Sequence, residues 1–498
     1  ADTVKARLDP ALAAPPAMQN IATAPPSTTP EPVASPQRRW RPSAPPRGSV
    51  LATVLVWLPM LGWYAAFRPG LMSFDSVVIY EMAKHGNWLD LQPPAYIAAM
   101  WVSTTLLGSP SLLTLGQSLF LAAGIVAVAR ALLRLGVNRY AVYGTTAVIA
   151  LLPTVGAFSV ALWKDIPYAA TFLFIGARVI DLTRARWDDD LSAARDAAWS
   201  ICAWLCASVA LRQNGVLLGV GLVVVLWLCL RSQRRQLVAV LLIPLALLGA
   251  LKLVVYPLIG ITSSGSQPAV ATQLHDIADA ASRDPGMFDA SDRAFMETIG
   301  RPFELWGSVY SSFGCSEATW EWDPRFHWEQ VNGHASRVVS LWLKVVREHP
   351  AMVVRNRLCV GSVAYRPDND HKLYTVGRGV DANPDGLRTV PISGALHDRA
   401  VSLLDRLDEN DVQSWVWRAP GWMYLADVVF IAVAVKRRRW ILLLPVLPLL
   451  MLQFSVLPVN PAQDARYMFP GLILAVLLLP AITLAWRREG MEAPAAEP

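Results

Sequence analysis

Residues 47–76 read RGSVLATVLVWLPMLGWYAAFRPGLMSFDS. A basic flank leads into an uncharged apolar run over 50–67, and Arg68-Pro69-Gly70 closes it before Phe74-Asp75-Ser76. A run of that length without charge reads as a membrane-spanning helix. Pro and Gly then turn the chain, which delivers the carboxylate of Asp75 to the membrane edge. Charges at bilayer depth commonly mark chemistry or transport.

Working outward, comparable runs recur at 111–133, 140–162, 166–183, 197–212, 215–231, 237–258, 417–435, 441–457 and 467–485. Together with the first they give about ten transmembrane helices. The expected fold is an all-α polytopic membrane protein with juxtamembrane helices and one extracytoplasmic, mainly helical domain. Over 498 residues the chain is 54% hydrophobic and only 16% charged, with a mean hydropathy of +0.36, unlike an ordinary soluble protein. The net charge of +6 does not point to nucleic acid, because Lys and Arg gather just beyond apolar runs.

Residues 1–48 are rich in Ala and Pro and poor in large apolar side chains. They are expected to form a disordered cytoplasmic tail. No charged segment followed by an apolar core opens the chain, so the first span is expected to act as an uncleaved insertion signal. The expected organisation continues with an N-terminal transmembrane core over 49–258, whose first loop is 68–92. An extracytoplasmic domain over 259–416, C-terminal membrane helices over 417–486 and a cytoplasmic tail over 487–498 follow.

Charge counts set the orientation. Arg38, Arg39, Arg41 and Arg47 precede the first span and place the N-terminus in the cytoplasm. Arg130, Arg134 and Arg139 face the same side only if the short apolar run 93–107 does not cross, so it is read as a juxtamembrane or re-entrant helix. Later basic clusters agree: Arg178, Arg184 and Arg186; Arg231, Arg234 and Arg235; Lys436 to Arg439; Arg487 and Arg488. Asp75, Glu81, His85, Asp165, Arg212, Asp464 and Arg466 are thereby expected to converge on one extracytoplasmic surface.

Each motif also has a plain structural reading. Asp75 could cap a short interfacial helix. In Trp163-Lys164-Asp165-Ile166-Pro167, Trp163 could anchor the interface and Asp165 could cap the next helix. Arg212 sits at membrane depth and asks for a partner; a lipid phosphate suits its planar fork of donors, and snorkelling to headgroups is the alternative. In Asp464-Ala465-Arg466-Tyr467 the acid and base could simply pair, or Arg466 and Tyr467 could clasp a phosphate. The stretch from Glu321 to Glu329, with His334 beyond, offers metal-ligand types without a dedicated zinc spacing. Trp342 to Leu358 reads as a helix lying on the membrane surface. Cys202, Cys206 and Cys229 fall in apolar spans, while Cys315 and Cys359 could pair in an oxidising compartment.

Taken together these motifs resemble the GT-C superfamily of membrane glycosyltransferases. The nearest likeness is to the family-39-like enzymes, which include protein O-mannosyltransferases and lipid A aminoarabinose transferases. The residues that carry it are Phe74-Asp75-Ser76, Gln92-Pro93-Pro94-Ala95-Tyr96, Asp165 and Asp464-Ala465-Arg466-Tyr467, within a likeness over about residues 50–485. Many relatives have a second carboxylate where this chain has Ser76, which favours a single-carboxylate mechanism over a metal site. No cofactor is certain, and a divalent cation remains an option.

The resemblance implies a polyprenyl-phosphate sugar donor, a lipid, glycan or protein acceptor, and an inverting hexosyl- or pentosyltransferase. Membrane lipids are expected partners and nucleic acid is not. Asp75 is the expected general base and Asp165 a second catalytic residue, with Lys164, Arg212, Arg466, Tyr467, Glu81 and His85 binding substrate. The expected place is a bacterial inner membrane, with the active site facing the periplasm. A lipid-linked sugar flippase and an O-antigen ligase or polymerase are the alternatives. The ligase would draw on Arg347, His349, Arg355 and Arg357 in the large loop.

Overall fold

Proline opens many of the helices, where its missing N–H has no intrahelical partner to lose. The structure is a computed structural model that describes residues 47–212, 215–307, 326–368 and 373–486. Helices α1 (Arg47–Phe67), α2 (Phe74–His85), α3 (Pro94–Leu107), α4 (Ser111–Leu135), α5 (Arg139–Leu151), α6 (Pro153–Val160), α7 (Asp165–Trp187), α8 (Leu191–Leu211), α9 (Gly215–Cys229) and α10 (Arg234–Ala250) build the N-terminal part. Next come α11 (Gln267–Arg283), α12 (Ala290–Ile299), α13 (Ala335–Glu348), α14 (Pro350–Val360) and α15 (Gly394–Leu407). The chain closes with α16 (Pro420–Arg437), α17 (Leu447–Val456) and α18 (Phe469–Leu478).

Five helical segments are long and apolar enough to cross a membrane: Gly48–Phe67, Ser111–Leu135, Asp165–Trp187, Arg231–Leu258 and Phe469–Trp486. The expected straight span over 140–162 is instead bent by 56° between α5 and α6, at Leu152. Pro153 at the first position of α6 is the physical reason, since the residue before a proline is driven out of the helical region. Counted as one span, this pair makes a sixth. The other expected spans are helices that are shorter or less apolar, and α3 is a short apolar helix of 14 residues.

The largest core joins the membrane helices; α7 packs between α4 and α8, and α1 lies against α4. A second core gathers α11, α12, α13 and the start of α14. The segment 259–416 contributes to both cores, because Leu373, Val376, Ala400 and Leu404 belong to the larger one. The expected surface helix over 342–358 is broken at His349. Its N-terminal half, in α13, buries Val345 against α11, while Lys344 and Arg337 both pair with Asp292. Cys359 is disulfide-bonded and Cys202, Cys206 and Cys229 are free; Cys315, its expected partner, lies outside the described residues.

No strand forms among the described residues, but four isolated parallel bridges stitch loops together: Leu71 with Ala161, Met72 with Val380, Leu89 with Thr262, and Tyr374 with Asp464. Three of them hold the segments on which Asp75, Lys164–Asp165 and Arg466 are mounted. Gly70 allows the first. It adopts φ +150°, and a Cβ there would come within 2.8 Å of Thr114 Oγ1 and 2.9 Å of the Val160 carbonyl. With no side chain in the way, Leu71 N–H reaches the Val160 carbonyl at 2.9 Å.

Candidate active site

Asp75 is the second residue of α2, not its cap. The capping position is Ser73, whose hydroxyl accepts from the indole of Trp163 at 2.7 Å, while Asp381, in a strap over 373–381, accepts from the Phe74 backbone N–H. Asp75 is thus left to face Arg466, which donates to it from Nη1 at 2.7 Å. The same guanidinium approaches Asp464 through Nε at 2.8 Å. It also lies over the rings of Trp163 and Tyr467, at 5.1 and 5.3 Å. One cation therefore bridges the first loop and the segment entering the last span, and two aromatic faces fix its plane.

Lys164 and Asp165 diverge. Lys164 donates to Gln92 Oε1 at 2.6 Å, and Asp165 takes Arg212 at 2.6 Å. The Arg212 and Asp165 side chains are only 9% and 2% exposed. Arg212 is further framed by Tyr168 and Tyr467, at 5.3 and 4.8 Å from the ring centres. The partner that Arg212 asks for is thus a carboxylate within the protein, in place of the expected lipid phosphate. Asp165 opens α7 without capping it.

Burial works to raise the Asp75 carboxyl, but the charges of Arg466 and Lys164 outweigh it and hold the group below its ordinary value. Asp464 behaves oppositely: burial pushes it up to about 6 against the pull of Arg466. Burial also lowers Lys164, opposed by Asp75 and Asp165. The result is a cluster with one ionised carboxylate, one carboxylate pushed up to about 6, and cations held by short contacts.

Six of the eight candidate residues come together: Asp75, Lys164, Asp165, Arg212, Arg466 and Tyr467. Glu81 and His85 do not join them. Glu81 sits mid-helix, partly buried, and makes no ion pair among the described residues. His85 ends α2 and faces Asp385 at 3.5 Å, beside Lys84, which donates to the same carboxylate at 2.5 Å. Gln92, Trp163 and Asp464 enter the site without having been counted as binding residues, although all three lie within motifs visible in the sequence. The strap over 373–381 gave no such signal.

A divalent cation finds a poor donor set here. Asp75, Asp165 and Asp464 each already face a guanidinium, and no group of three His, Cys, Asp or Glu residues is placed to hold a metal among the described residues. Ser76, beside Asp75, is fully buried and carries a hydroxyl in place of a second carboxylate. Of the metal-ligand stretch at 321–329, residues 321–325 lie outside the described residues, and His334 contacts the Gln330 carbonyl. In the large loop, Arg357 is paired with Asp276 and His349 with Asp284.

Residues 83–496 match a protein family of unknown function, DUF6020. The chain belongs to that family. The match begins within α2, so Glu81 and Asp75 precede it and the remaining candidates fall inside. No curated protein matches. Among solved structures, ArnT from Cupriavidus metallidurans in the apo state is similar at 15% identity and a TM-score of 0.33, covering 87% of this chain and 77% of that one. ArnT bound to undecaprenyl phosphate is similar at 15% identity and a TM-score of 0.30, covering 88% and 78%.

Proposed function

We propose that this protein is a membrane glycosyltransferase that moves a sugar from a polyprenyl-phosphate donor to an acceptor hydroxyl at the membrane edge where Asp75 lies. The observation that carries the reading is the sharing of Arg466 between Asp75 and Asp464. A carboxylate able to take a proton and a cation able to take a phosphate occupy adjoining positions, with Lys164 close enough to act on Asp75.

Resting Asp75 is a weak base, because Arg466 and Lys164 stabilise its charged form. A donor phosphate competes for the same cations. As it draws Arg466 off, Asp75 loses the interaction that lowers its proton affinity and becomes the stronger base once donor is bound. The acceptor O–H then gives its proton to Asp75 as its oxygen bonds to the anomeric carbon. The bond from that carbon to the phosphate oxygen breaks, and its electron pair leaves with the phosphate. Arg466 and Lys164 stabilise that growing charge. Displacement from the opposite face inverts the anomeric centre. Asp165 acts as a positioning residue here: it holds Arg212, which in turn packs against Tyr467.

The test is transfer in proteoliposomes from a panel of labelled undecaprenyl-phosphate sugars, with lipid, glycan and peptide acceptors. Product formed with a defined donor supports the reading. Movement of donor between leaflets without any transfer or hydrolysis sinks it in favour of a flippase.

A further inference from the structure

Beyond the cluster around Asp75, the described residues hold a second cationic feature that the proposed reaction leaves unused. Arg418, just before α16, is 1% exposed, and among the described residues neither Nη1 nor Nη2 has a hydrogen-bond partner. A buried guanidinium with idle donors is costly unless something anionic joins it. Its charged surroundings are Arg366, which repels it, and Asp368. Asp368 is exposed, and its carboxylate takes a hydrogen bond from Ser414 at 3.1 Å. Among the described residues the neighbourhood is therefore short of negative charge.

Arg366 also lines a groove of about 560 Å³ along α14, with Val354, Arg355, Leu358, Ser362 and Tyr365. Among the described residues no acidic side chain lines it, and its two charged members are both arginines. Val354 and Leu358 are exposed apolar side chains, as are Leu425 and Trp415 near the start of α16. The two features are joined by the chain itself. The Tyr365 carbonyl accepts from Tyr424 of α16 at 2.5 Å, and Pro367 packs against Gly421. The inner wall of the groove is tied to the cluster, since Gln463, next to Asp464, donates to Ser362 Oγ at 2.5 Å and to the Cys359 carbonyl at 2.6 Å.

We propose that Arg418 and Arg366 form an anion site for the phosphate of a membrane lipid whose hydrocarbon chain lies in the groove along α14. The cationic lining selects the phosphate, and the exposed apolar wall selects a lipid over a free anion. The site does not depend on the transfer reaction, because binding is read without an acceptor.

The experiment measures equilibrium binding of labelled farnesyl phosphate to the full chain in detergent, with farnesol and inorganic phosphate as competitors. Saturable binding is expected, weakened roughly tenfold by Arg366→Gln and by Arg418→Gln, as for loss of one charged hydrogen bond. Arg283→Gln, on the exposed side of α11, should leave it unchanged. In the lipid-free state Arg418→Gln should melt no lower than wild type, whereas a purely structural arginine would lower the melting temperature when removed. Arg366 is exposed, so its variant tests binding even if Arg418→Gln folds poorly. Inorganic phosphate or farnesol competing as well as farnesyl phosphate would overturn the assignment. So would binding that survives both variants, including binding lost only with Arg466→Gln, which would place the lipid at the cluster. Absence of sugar transfer with this binding intact would fault the proposed reaction alone.

Discussion

The two ends of α2 carry similar chemistry and meet different fates. At its start Asp75 is drawn into a largely covered network with Arg466, and through Arg466 to Asp464. At its end Lys84 and His85 share Asp385 on an open surface. Ten residues of helix separate Asp75 from His85, about 15 Å at 1.5 Å per residue. What distinguishes the ends is which distant segments arrive. The start is met by the turn after α6, the segment before α18 and the strap, while Lys84 and His85 at the end meet Asp385, beyond the strap. Ion pairs in water contribute little, while those withdrawn from it fix geometry and shift proton affinity.

The largest expected effect follows from the buried end. Asp75→Asn should lower the transfer rate by about 10²–10⁴-fold, the usual contribution of a general base, measured in single-turnover transfer assays. His85→Gln in the same assay should leave the rate unchanged. A comparable loss in both would erase the distinction between the two ends.

A stability effect comes next. Removing one partner of the buried Asp165–Arg212 pair leaves a desolvated charge unpaired, so Asp165→Asn should cost about 3–5 kcal/mol in chemical denaturation. The double variant Asp165→Leu with Arg212→Leu should recover much of that loss. If the single variant is as stable as wild type, the pair is not holding the end of α8 against α7.

Asp464 sharpens the contrast through pH. Its folded-state value, pushed up to about 6 from 3.8, means that the folded protein takes up a proton between those values. Its burial therefore weakens the fold as pH rises through that window. Asp75, whose value is lowered, stays ionised there, and its stabilising pairing is lost only as pH falls through that lowered value. Protonating Asp464 loosens its hold on Arg466, so kcat/KM should fall as pH drops through about 6. Asp464→Asn should lack that limb in a pH profile. The smallest effect belongs to the open end: Asp385→Asn should change neither melting nor transfer.

Much of this was legible in the sequence because positive-inside counting is a local rule that needs no packing. It set Asp75, Glu81, His85, Lys164, Asp165, Arg212, Asp464 and Arg466 on one face; the structure gathers six of them and leaves Glu81 and His85 apart. Pairing was not legible, since nothing in Arg212-Gln213-Asn214 says that Asp165 rather than a phosphate answers its charge. The bend before Pro153 carried a signal in the proline itself, outweighed by the unbroken apolar run. The strap over 373–381 carried none: it has neither helical nor strand periodicity and acquires its form from Met72 and Asp464, through the bridges at Val380 and Tyr374. The idle guanidinium of Arg418 likewise shows only once burial is known.

The most direct test of the central claim, that donor phosphate and Asp75 compete for Arg466, is to measure donor binding and turnover separately in Asp75→Asn. The account predicts that the variant binds an undecaprenyl-phosphate sugar at least as tightly as wild type, because Arg466 is no longer shared with a carboxylate, while turnover is lost. Weakened donor binding with turnover per bound donor unchanged would contradict it, and would make Asp75 a structural anchor for Arg466 instead of the base.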